Sequence, residues 1–230
     1  ISKRNLESNT EKIESVSDFL KEISDSLSDL KEETNGKLFC YRGEDRVKGE
    51  NKSHFTPAMP NIFRPTIFNE YCKYIWFEKN ILDEIKSNNL SNSKSYLETA
   101  MDAQHGGFPS RLLDVSFNSL VALFFAVTPY YKCRIDEHDD TDGRVIVFAT
   151  DKMSTSNTQS IINIFDDLVV KKRYNSALDC YFHMLIDFVD LNNRIKAQQG
   201  GFILFGGNQF VPIPENKMKE IIIPSYSKKK

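Results

Sequence analysis

One stretch of twelve residues, from Ala103 to Asp114, restricts the fold of this chain more than any other. It contains Gly106-Gly107 and Pro109, and glycine and proline at this density interrupt both helices and strands. The segment 120–127 that follows is apolar at every position and predicts a helix buried on most sides. The stretch is therefore predicted to be a shaped loop that holds polar side chains against a packed support, the usual form of a binding or catalytic site.

Four polar side chains of this loop are candidates for a site, namely Gln104, His105, Arg111 and Asp114. His105 is either a structural histidine or a hydrogen-bond donor or base for a ligand. Arg111 and Asp114 are three residues apart, and they form either an internal ion pair or ligand contacts. The sequence leaves both alternatives open.

Apolar residues elsewhere predict separate helices and strands. Helical spacing is found in 11–33, 71–89, 95–104 and 120–127, and further apolar clusters at helical spacing run through 159–191. Strands are predicted for 38–41, 144–149, 202–205 and 220–223. The resulting order of elements is mixed, with helices and strands interspersed along the chain.

Two further elements combine polar residues with glycine. Arg42 and Gly43 follow the first predicted strand, where a guanidinium can bind phosphate or carboxylate in a bidentate fork and glycine permits a ligand to approach closely. A surface ion pair is the alternative for Arg42. The segment 194–202 repeats the theme, with a polar run before a glycine pair and an apolar strand.

Glu78 lies among the apolar positions of the predicted helix 71–89. If it points inward it needs a cationic partner, for which Arg64 and Arg42 are candidates. If it lies at the edge of the apolar stripe, it is solvated instead.

Composition limits the classes of protein to which the chain can belong. The formal net charge is −2, which gives no global attraction to nucleic acid or membrane. No apolar run approaches the ~20 residues that cross a bilayer, and residues 1–35 are too polar for a signal peptide. The expectation is a cytoplasmic protein without a membrane partner.

The sequence predicts no metal site. Cys40, Cys72, Cys133 and Cys180 are widely spaced without a C-x-x-C pair, and they are expected to be reduced, buried thiols. The acidic stretch 132–143 also contains a histidine, but a solvated loop explains it better than a set of ordered ligands.

The order of these motifs resembles the FRG domain family, named for a Phe-Arg-Gly signature that reads Tyr41-Arg42-Gly43 here. The other matching motifs are an arginine and a glutamate (Arg64 and Glu78), the core 103–114 with Ser110 where threonine is usual, the helix 122–126, the strand with Arg194, Gln198, Gly200 and Phe202, and the late Ile223-Pro224. The resemblance covers 38–224 and predicts a helical segment at 1–36 followed by an FRG domain at 37–226.

The motif order is also similar to that of ADP-ribosyltransferases, which implies an α+β fold with a split, mainly antiparallel sheet flanked by helices. The resemblance implies NAD as the substrate. It also implies a catalytic set, namely Arg42, Glu78, His105 and Asp114, and a nucleotide-binding set, namely Tyr41, Gly43, Arg64, Gln104, Arg111, Arg194 and Gln198. The late strand has Gln198-Gln199-Gly200 where a glutamate is usual, so Glu78 or Asp114 would have to supply the carboxylate.

The resemblance therefore predicts an NAD-dependent ADP-ribosyltransferase or NAD glycohydrolase that acts as a bacterial toxin or in phage defence. Its partners would be a nucleotide and a protein or nucleic-acid target of modification. The alternative is a non-catalytic module of a defence system that binds a nucleotide, a nucleic acid or a phage component.

Overall fold

The computed structural model describes residues 13–34, 38–45, 58–69, 76–91, 93–128, 141–150, 152–172, 182–187 and 199–228. The helices are α1 (Val16–Thr34), α2 (Pro65–Phe68), α3 (Phe77–Ser87), α4 (Tyr96–His105), α5 (Ser119–Val127) and α6 (Gln159–Phe165). The strands are β1 (Leu38–Glu44), β2 (Leu112–Ser116), β3 (Gly143–Thr150), β4 (Met153–Thr155), β5 (His183–Asp187), β6 (Gly200–Phe205) and β7 (Met218–Ile223). A 3-10 turn at Asn61–Phe63 precedes α2, and a π-helical turn at Asp166–Val170 continues α6.

Within these ranges the strands form one sheet in the order β4-β5-β6-β2-β1-β3-β7. Neighbouring strands are antiparallel except β4 and β5, which are parallel. β1 pairs with β3 from Leu38 to Glu44, but among the described residues it meets β2 only where Tyr41 lies opposite Ser116. The sheet is therefore split between β1 and β2, and the predicted α+β fold with a split, mainly antiparallel sheet flanked by helices is confirmed.

The two faces of the sheet are covered by different parts of the chain. Because Tyr41 lies opposite Ser116, the odd positions of β1 share a face with the even positions of β2. On that face α1 and α5 cover β1, β3 and β7, while α3, α4 and α6 cover β2, β5 and β6. On the other face the segment 58–63 packs over Cys40 and Leu113.

Short polar side chains begin the helices on either side of β2 in the sequence. Ser95 accepts a hydrogen bond from the Glu98 N–H at 3.2 Å, and the Glu98 carboxylate accepts one from the Ser95 N–H at 3.2 Å, which forms a capping box for α4. Asn118 accepts a hydrogen bond from the Leu120 N–H at 2.9 Å and caps α5. Capping fixes where each helix begins, and the cap of α5 comes directly after the end of β2.

The helix predicted at 120–127 forms as α5, but it is more exposed than the sequence predicts. A Cβ atom on Gly43 would lie 1.8 Å from the Ala122 oxygen, and one on Gly143 would lie 2.2 Å from the Ala126 oxygen. The backbone of α5 thus approaches β1 and β3 closely along its small-residue edge. Ala122 and Ala126 are buried while Phe124 is 58% exposed, so the prediction of burial on most sides is wrong.

The apolar clusters in 159–191 form two kinds of structure. α6 and its π-helical turn follow the predicted helical spacing, whereas His183–Asp187 forms β5 and pairs with β6. A short apolar run is compatible with either structure, and here pairing to a neighbouring strand decides. Residues 71–75 of the predicted helix 71–89 and most of the acidic stretch 132–143 lie outside the described residues.

Two findings concern the expectations about membrane-spanning segments and cysteine thiols. No helix in the described ranges is both long and apolar enough to cross a membrane. Cys40 is buried and is not part of a disulfide, while the other three cysteines lie outside the described residues.

Candidate functional site

Arg42 fills the gap where β1 and β2 separate. Its Nη1 donates a hydrogen bond of 2.8 Å to the backbone oxygen of Asp114 on β2. In the described part of the chain the backbone ladder between these strands ends at Tyr41 and Ser116, so the Arg42 side chain bonds β2 where a strand partner would. Arg42 therefore contacts the backbone of Asp114, while the Asp114 side chain lies on the opposite face of the sheet.

A partly buried ion-pair network holds the other side of the Arg42 guanidinium. Arg42 Nε donates to Glu44 Oε1 at 2.9 Å, and Arg144 Nε on β3 donates to Glu44 Oε2 at 2.8 Å. Arg144 Nη1 lies 3.4 Å from Glu220 Oε2 on β7. Burial alone would raise the pKa of Glu44, but Arg42 and Arg144 outweigh burial and hold this pKa below its ordinary value. The network fixes the orientation of Arg42 at the split.

The sequence prediction did not include Glu44 and Arg144 in the site. One signal was present, because residues 42 and 44 of a strand share a face and carry opposite charges. The pairing of Glu44 with Arg144 depends on the register of β1 against β3, which places these residues opposite each other. Glu44 and Arg144 are 100 residues apart in the sequence, and the register between such distant strands cannot be predicted from the local residue pattern.

Glu44→Gln is expected to make the stability of the protein less sensitive to acid. Because the folded-state pKa of Glu44 is depressed, ionised Glu44 contributes stability above its ordinary pKa of 4.5, and this stability is lost as pH falls through the folded-state value. At neutral pH the variant should be less stable than the wild type by about 1–3 kcal/mol. Urea unfolding from neutral pH down to about pH 3 measures this difference, which should shrink on acidification. A difference that stays constant across that range contradicts the assignment.

Arg64 approaches the same gap from the 3-10 turn that precedes α2. Asn61 anchors this turn to the end of the loop that precedes β2. Its side-chain oxygen accepts a hydrogen bond from the Ser110 N–H at 2.7 Å, and its amide nitrogen donates to the Phe108 oxygen at 3.2 Å. These bonds fix the position of the predicted loop relative to the turn that precedes Arg64.

The guanidinium of Arg64 makes no hydrogen bond or ion pair with any described residue. Its pKa lies below the ordinary value because of burial and the like charge of Arg42, which Glu44 and Asp114 only partly oppose. Arg64 is therefore a partly buried guanidinium whose pKa is lowered first by burial and then by the like charge of Arg42. An anion between them would relieve this repulsion.

Gln104 and Asp114 meet on the α4 side of β2. Gln104 Nε2 donates a hydrogen bond of 3.1 Å to Asp114 Oδ2. The other oxygen of each side chain, Gln104 Oε1 and Asp114 Oδ1, is buried and accepts no hydrogen bond from the described residues. A buried acceptor without a donor lowers the stability of the folded state by about 1–3 kcal/mol, so this pair destabilises the fold more than an ordinary structural contact would.

Glu78 and Arg111, predicted as catalytic and ligand-binding residues, pair with each other inside the protein. Arg111 Nε and Nη2 lie 2.9 and 2.8 Å from Glu78 Oε2, and both side chains are 4% exposed. Arg111 Nη1 also donates to the backbone oxygens of Phe205 and Gly207, at 3.2 and 2.9 Å. The pair therefore joins α3, the start of β2 and the end of β6.

This geometry corrects two expectations about these residues. The predicted partner of Glu78 was Arg64 or Arg42, and the observed partner is Arg111. The internal ion pair of Arg111 with Asp114, one of the two alternatives left open by the sequence, does not form, because Arg111 pairs with Glu78. Since residues 112, 114 and 116 of β2 share a face, Asp114 points toward α4 and away from the Glu78 contact.

Tyr41 and Gly43 have packing roles on the opposite face from Arg42. Tyr41 is buried in the core beneath α1 and α5, and burial raises its pKa. The space that Gly43 leaves is occupied by the backbone of α5 at Ala122, so the predicted approach of a ligand to this glycine is blocked.

Three other predicted residues are not described. His105 is the last residue of α4, but its side chain lies outside the described part of the structure. Arg194 and Gln198 also lie outside the described residues. Their assignment to the site stays a prediction.

An apolar groove of about 310 Å³ lies along α3, and neither Arg42 nor Arg64 lines it. Its lining is Phe77, Asn80, Ile81, Glu84, Ile85, Asn88, Leu90 and Phe108. Among the described residues no group of three or more His, Cys, Asp and Glu side chains is placed to hold a metal ion.

Comparison with known proteins gives a family match for part of the chain. The model of the FRG domain matches residues 37–133, a range that includes Arg42, Arg64, Gln104 and Asp114. No curated protein matches the chain, and no solved structure matches it either. The family resemblance seen in the sequence is thus confirmed, while the likeness to ADP-ribosyltransferases is not. The match to the FRG domain covers residues 37–133, somewhat less than half of the chain.

Proposed function

We propose that the protein binds NAD at the split between β1 and β2 and cleaves its nicotinamide–ribose bond, passing ADP-ribose to water or to a protein or nucleic-acid target. The observation that carries this proposal is the Arg42 guanidinium at the split, which is held by Glu44 on one side and by the Asp114 backbone oxygen on the other. The setting that the family resemblance implies, a bacterial toxin or a phage-defence protein, is part of the proposal.

The two arginines support binding of a diphosphate. Arg42 is oriented by Glu44 and by the Asp114 backbone, so it has lost conformational freedom before a ligand arrives. The Arg64 guanidinium makes no hydrogen bond to the described residues, and burial followed by the like charge of Arg42 lowers its pKa. A phosphate between two guanidinium groups gains charge-assisted hydrogen bonds and removes their repulsion.

Asp114 is our candidate for the carboxylate that stabilises the reacting ribose. Cleavage breaks the bond between C1′ and the nicotinamide nitrogen, and the electron pair leaves with nicotinamide, which becomes neutral. Water or a target nucleophile bonds to C1′ and releases a proton. Positive charge develops on C1′ and the ring oxygen during this step, and a nearby carboxylate stabilises it. Glu78 is held by Arg111 and Glu44 by two arginines, whereas Asp114 keeps one oxygen unbonded among the described residues.

Incubation of the purified protein with NAD should release nicotinamide, measured by chromatography. Asp114→Asn is expected to lower kcat by about 10²–10³-fold, because it removes the charge that stabilises the transition state. Arg42→Ala is expected mainly to raise KM, because it weakens binding of the phosphates. Asp167→Asn, in the π-helical turn that follows α6, is the matched control and should behave as the wild type.

A non-catalytic binding module of a defence system is the second candidate. Glu44 is the carboxylate that contacts the Arg42 side chain, and both of its oxygens are bonded to arginines. It is therefore not free for chemistry, which favours binding without catalysis. Nucleotides that raise the melting temperature of the wild type but not of Arg42→Ala, without any turnover of NAD, would select this candidate.

A further inference from the structure

Four charged side chains form a row across one face of the sheet, from the split to β7. Arg42 and Glu44 lie on β1, Arg144 lies on β3, and Glu220 lies on β7. The register places Glu44 opposite Arg144. Ile146 lies opposite Arg42 on one side and opposite Glu220 on the other. Residues opposite each other share a face, so the four charged side chains lie on the same face of the sheet.

Glu44 divides its two oxygens between two arginines. Its Oε1 accepts a hydrogen bond from Arg42 Nε at 2.9 Å, and its Oε2 accepts one from Arg144 Nε at 2.8 Å. Arg42 Nη1 donates to the Asp114 backbone oxygen, and Arg42 Nη2 makes no hydrogen bond with a described residue. Among the described contacts, Nη2 is therefore the nitrogen that Arg42 has left for a ligand.

Arg144 prevents Glu44 from taking that nitrogen. Nε and Nη2 of a guanidinium point the same way and match the two oxygens of a carboxylate, so an unshared Glu44 would bind both nitrogens of Arg42. Arg144 is 2% exposed and donates to Glu44 Oε2 from both Nε and Nη2. Glu220 competes for the same positive charge, since its Oε2 lies 3.4 Å from Arg144 Nη1.

We infer that Arg144 is a positioning residue for the anion site: it holds the second oxygen of Glu44 and so keeps Nη2 of Arg42 available for a phosphate. Arg144 does not contact the phosphate and acts through Glu44. This inference rests on the proposed function, because it requires Arg42 to bind phosphate, and it adds a residue on β3 that controls this binding.

Calorimetric titration of the full chain with inorganic pyrophosphate tests this role, in about 0.15 M salt to screen distant charges. Arg144→Met is expected to bind pyrophosphate about tenfold more weakly than the wild type, the effect of one charge-assisted hydrogen bond. In the Glu44→Gln background the same substitution should change the affinity by about twofold at most. An amide has one acceptor oxygen, so Gln at this position cannot form the bidentate pair with Arg42.

Glu220→Gln tests the same row without a buried substitution, since the Glu220 side chain is 29% exposed. Arg144 then keeps Glu44 as its carboxylate partner without competition, and pyrophosphate should bind about two- to threefold more tightly. Asp167→Asn removes the same charge from an exposed ion pair and should bind as the wild type does. Unchanged or weaker binding by Glu220→Gln overturns the inference, including where Arg144→Met does not fold.

The outcomes separate this inference from the proposed function. Arg42→Ala should lower the affinity for pyrophosphate at least about tenfold. If it binds as tightly as the wild type, the anion site fails and the inference fails with it. If Arg42→Ala loses affinity and Arg144→Met does not, the anion site stands and the inference is overturned. Equal losses for Arg144→Met in the wild-type and Glu44→Gln backgrounds also overturn it, because Arg144 would then act by its charge alone.

Discussion

Arg111→Met is expected to lower the free energy of unfolding by about 3–5 kcal/mol, because it leaves the buried Glu78 carboxylate without its partner. The backbone oxygens of Phe205 and Gly207 also lose the donor that Arg111 Nη1 provides. Both side chains of the ion pair are 4% exposed, so water cannot easily replace the lost contacts. The loss should therefore be far larger than that of a surface ion pair.

Urea denaturation followed by circular dichroism measures this effect, and the double variant Glu78→Met/Arg111→Met separates its parts. The double variant should recover some of the lost stability, because the buried charge is gone while the two carbonyl oxygens remain unbonded. Lys171→Met is the control, since it removes an exposed ion pair with Asp167 and should cost about 0.3–0.5 kcal/mol. An Arg111→Met variant within about 1 kcal/mol of the wild type would show that the pair does not hold the fold together.

Gly43→Ala is expected to destabilise the protein by at least about 3 kcal/mol, the upper part of the range for overpacking. The added Cβ would meet the Ala122 oxygen at 1.8 Å and the Ala126 nitrogen at 2.8 Å. These are backbone atoms of α5, which cannot move aside as a flexible side chain can. The helix or the strand must shift, and a shift of β1 would also move Arg42.

The matched control for this substitution is Gly106→Ala. Gly106 has an ordinary φ of −74°, and its nearest atoms are the Phe108 ring at 3.2 Å and the Ala103 oxygen at 3.3 Å. A small adjustment of the ring admits a methyl group, so the expected cost is within about 1 kcal/mol. Equal melting temperatures for the two variants would contradict the close packing of α5 against β1.

Much of the fold could be predicted from the sequence because local patterns determine it. The stripe of α1 recurs at three and four residues, and its members Phe19, Ile23 and Leu30 are buried as that spacing requires. The strands β3 and β7 were predicted from continuous apolar runs. The burial of α5 was misjudged because glycines on two distant strands, Gly43 and Gly143, decide which edge of the helix packs.

The candidate site was predicted in its parts more than in its arrangement. Motif residues indicated Arg42, Arg64, Gln104 and Asp114. In the structure Arg42 contacts the Asp114 backbone and Gln104 contacts the Asp114 side chain, while the role of these residues in a site stays a prediction. The pairing of Glu78 with Arg111 could not be predicted, because it joins residues 33 apart through the packing of α3 against β2. Charge alone offered several partners for the glutamate, and only tertiary structure chooses among them.

A crystal of the protein soaked with NAD tests the central claim most directly, since that claim is that the split between β1 and β2 binds a nucleotide. The account predicts the phosphates within hydrogen-bonding distance of the Arg42 and Arg64 guanidinium groups, and the reacting ribose on the Asp114 side of the split. NAD bound elsewhere, for example in the apolar groove along α3, would contradict it. So would an empty split at NAD concentrations that raise the melting temperature in solution.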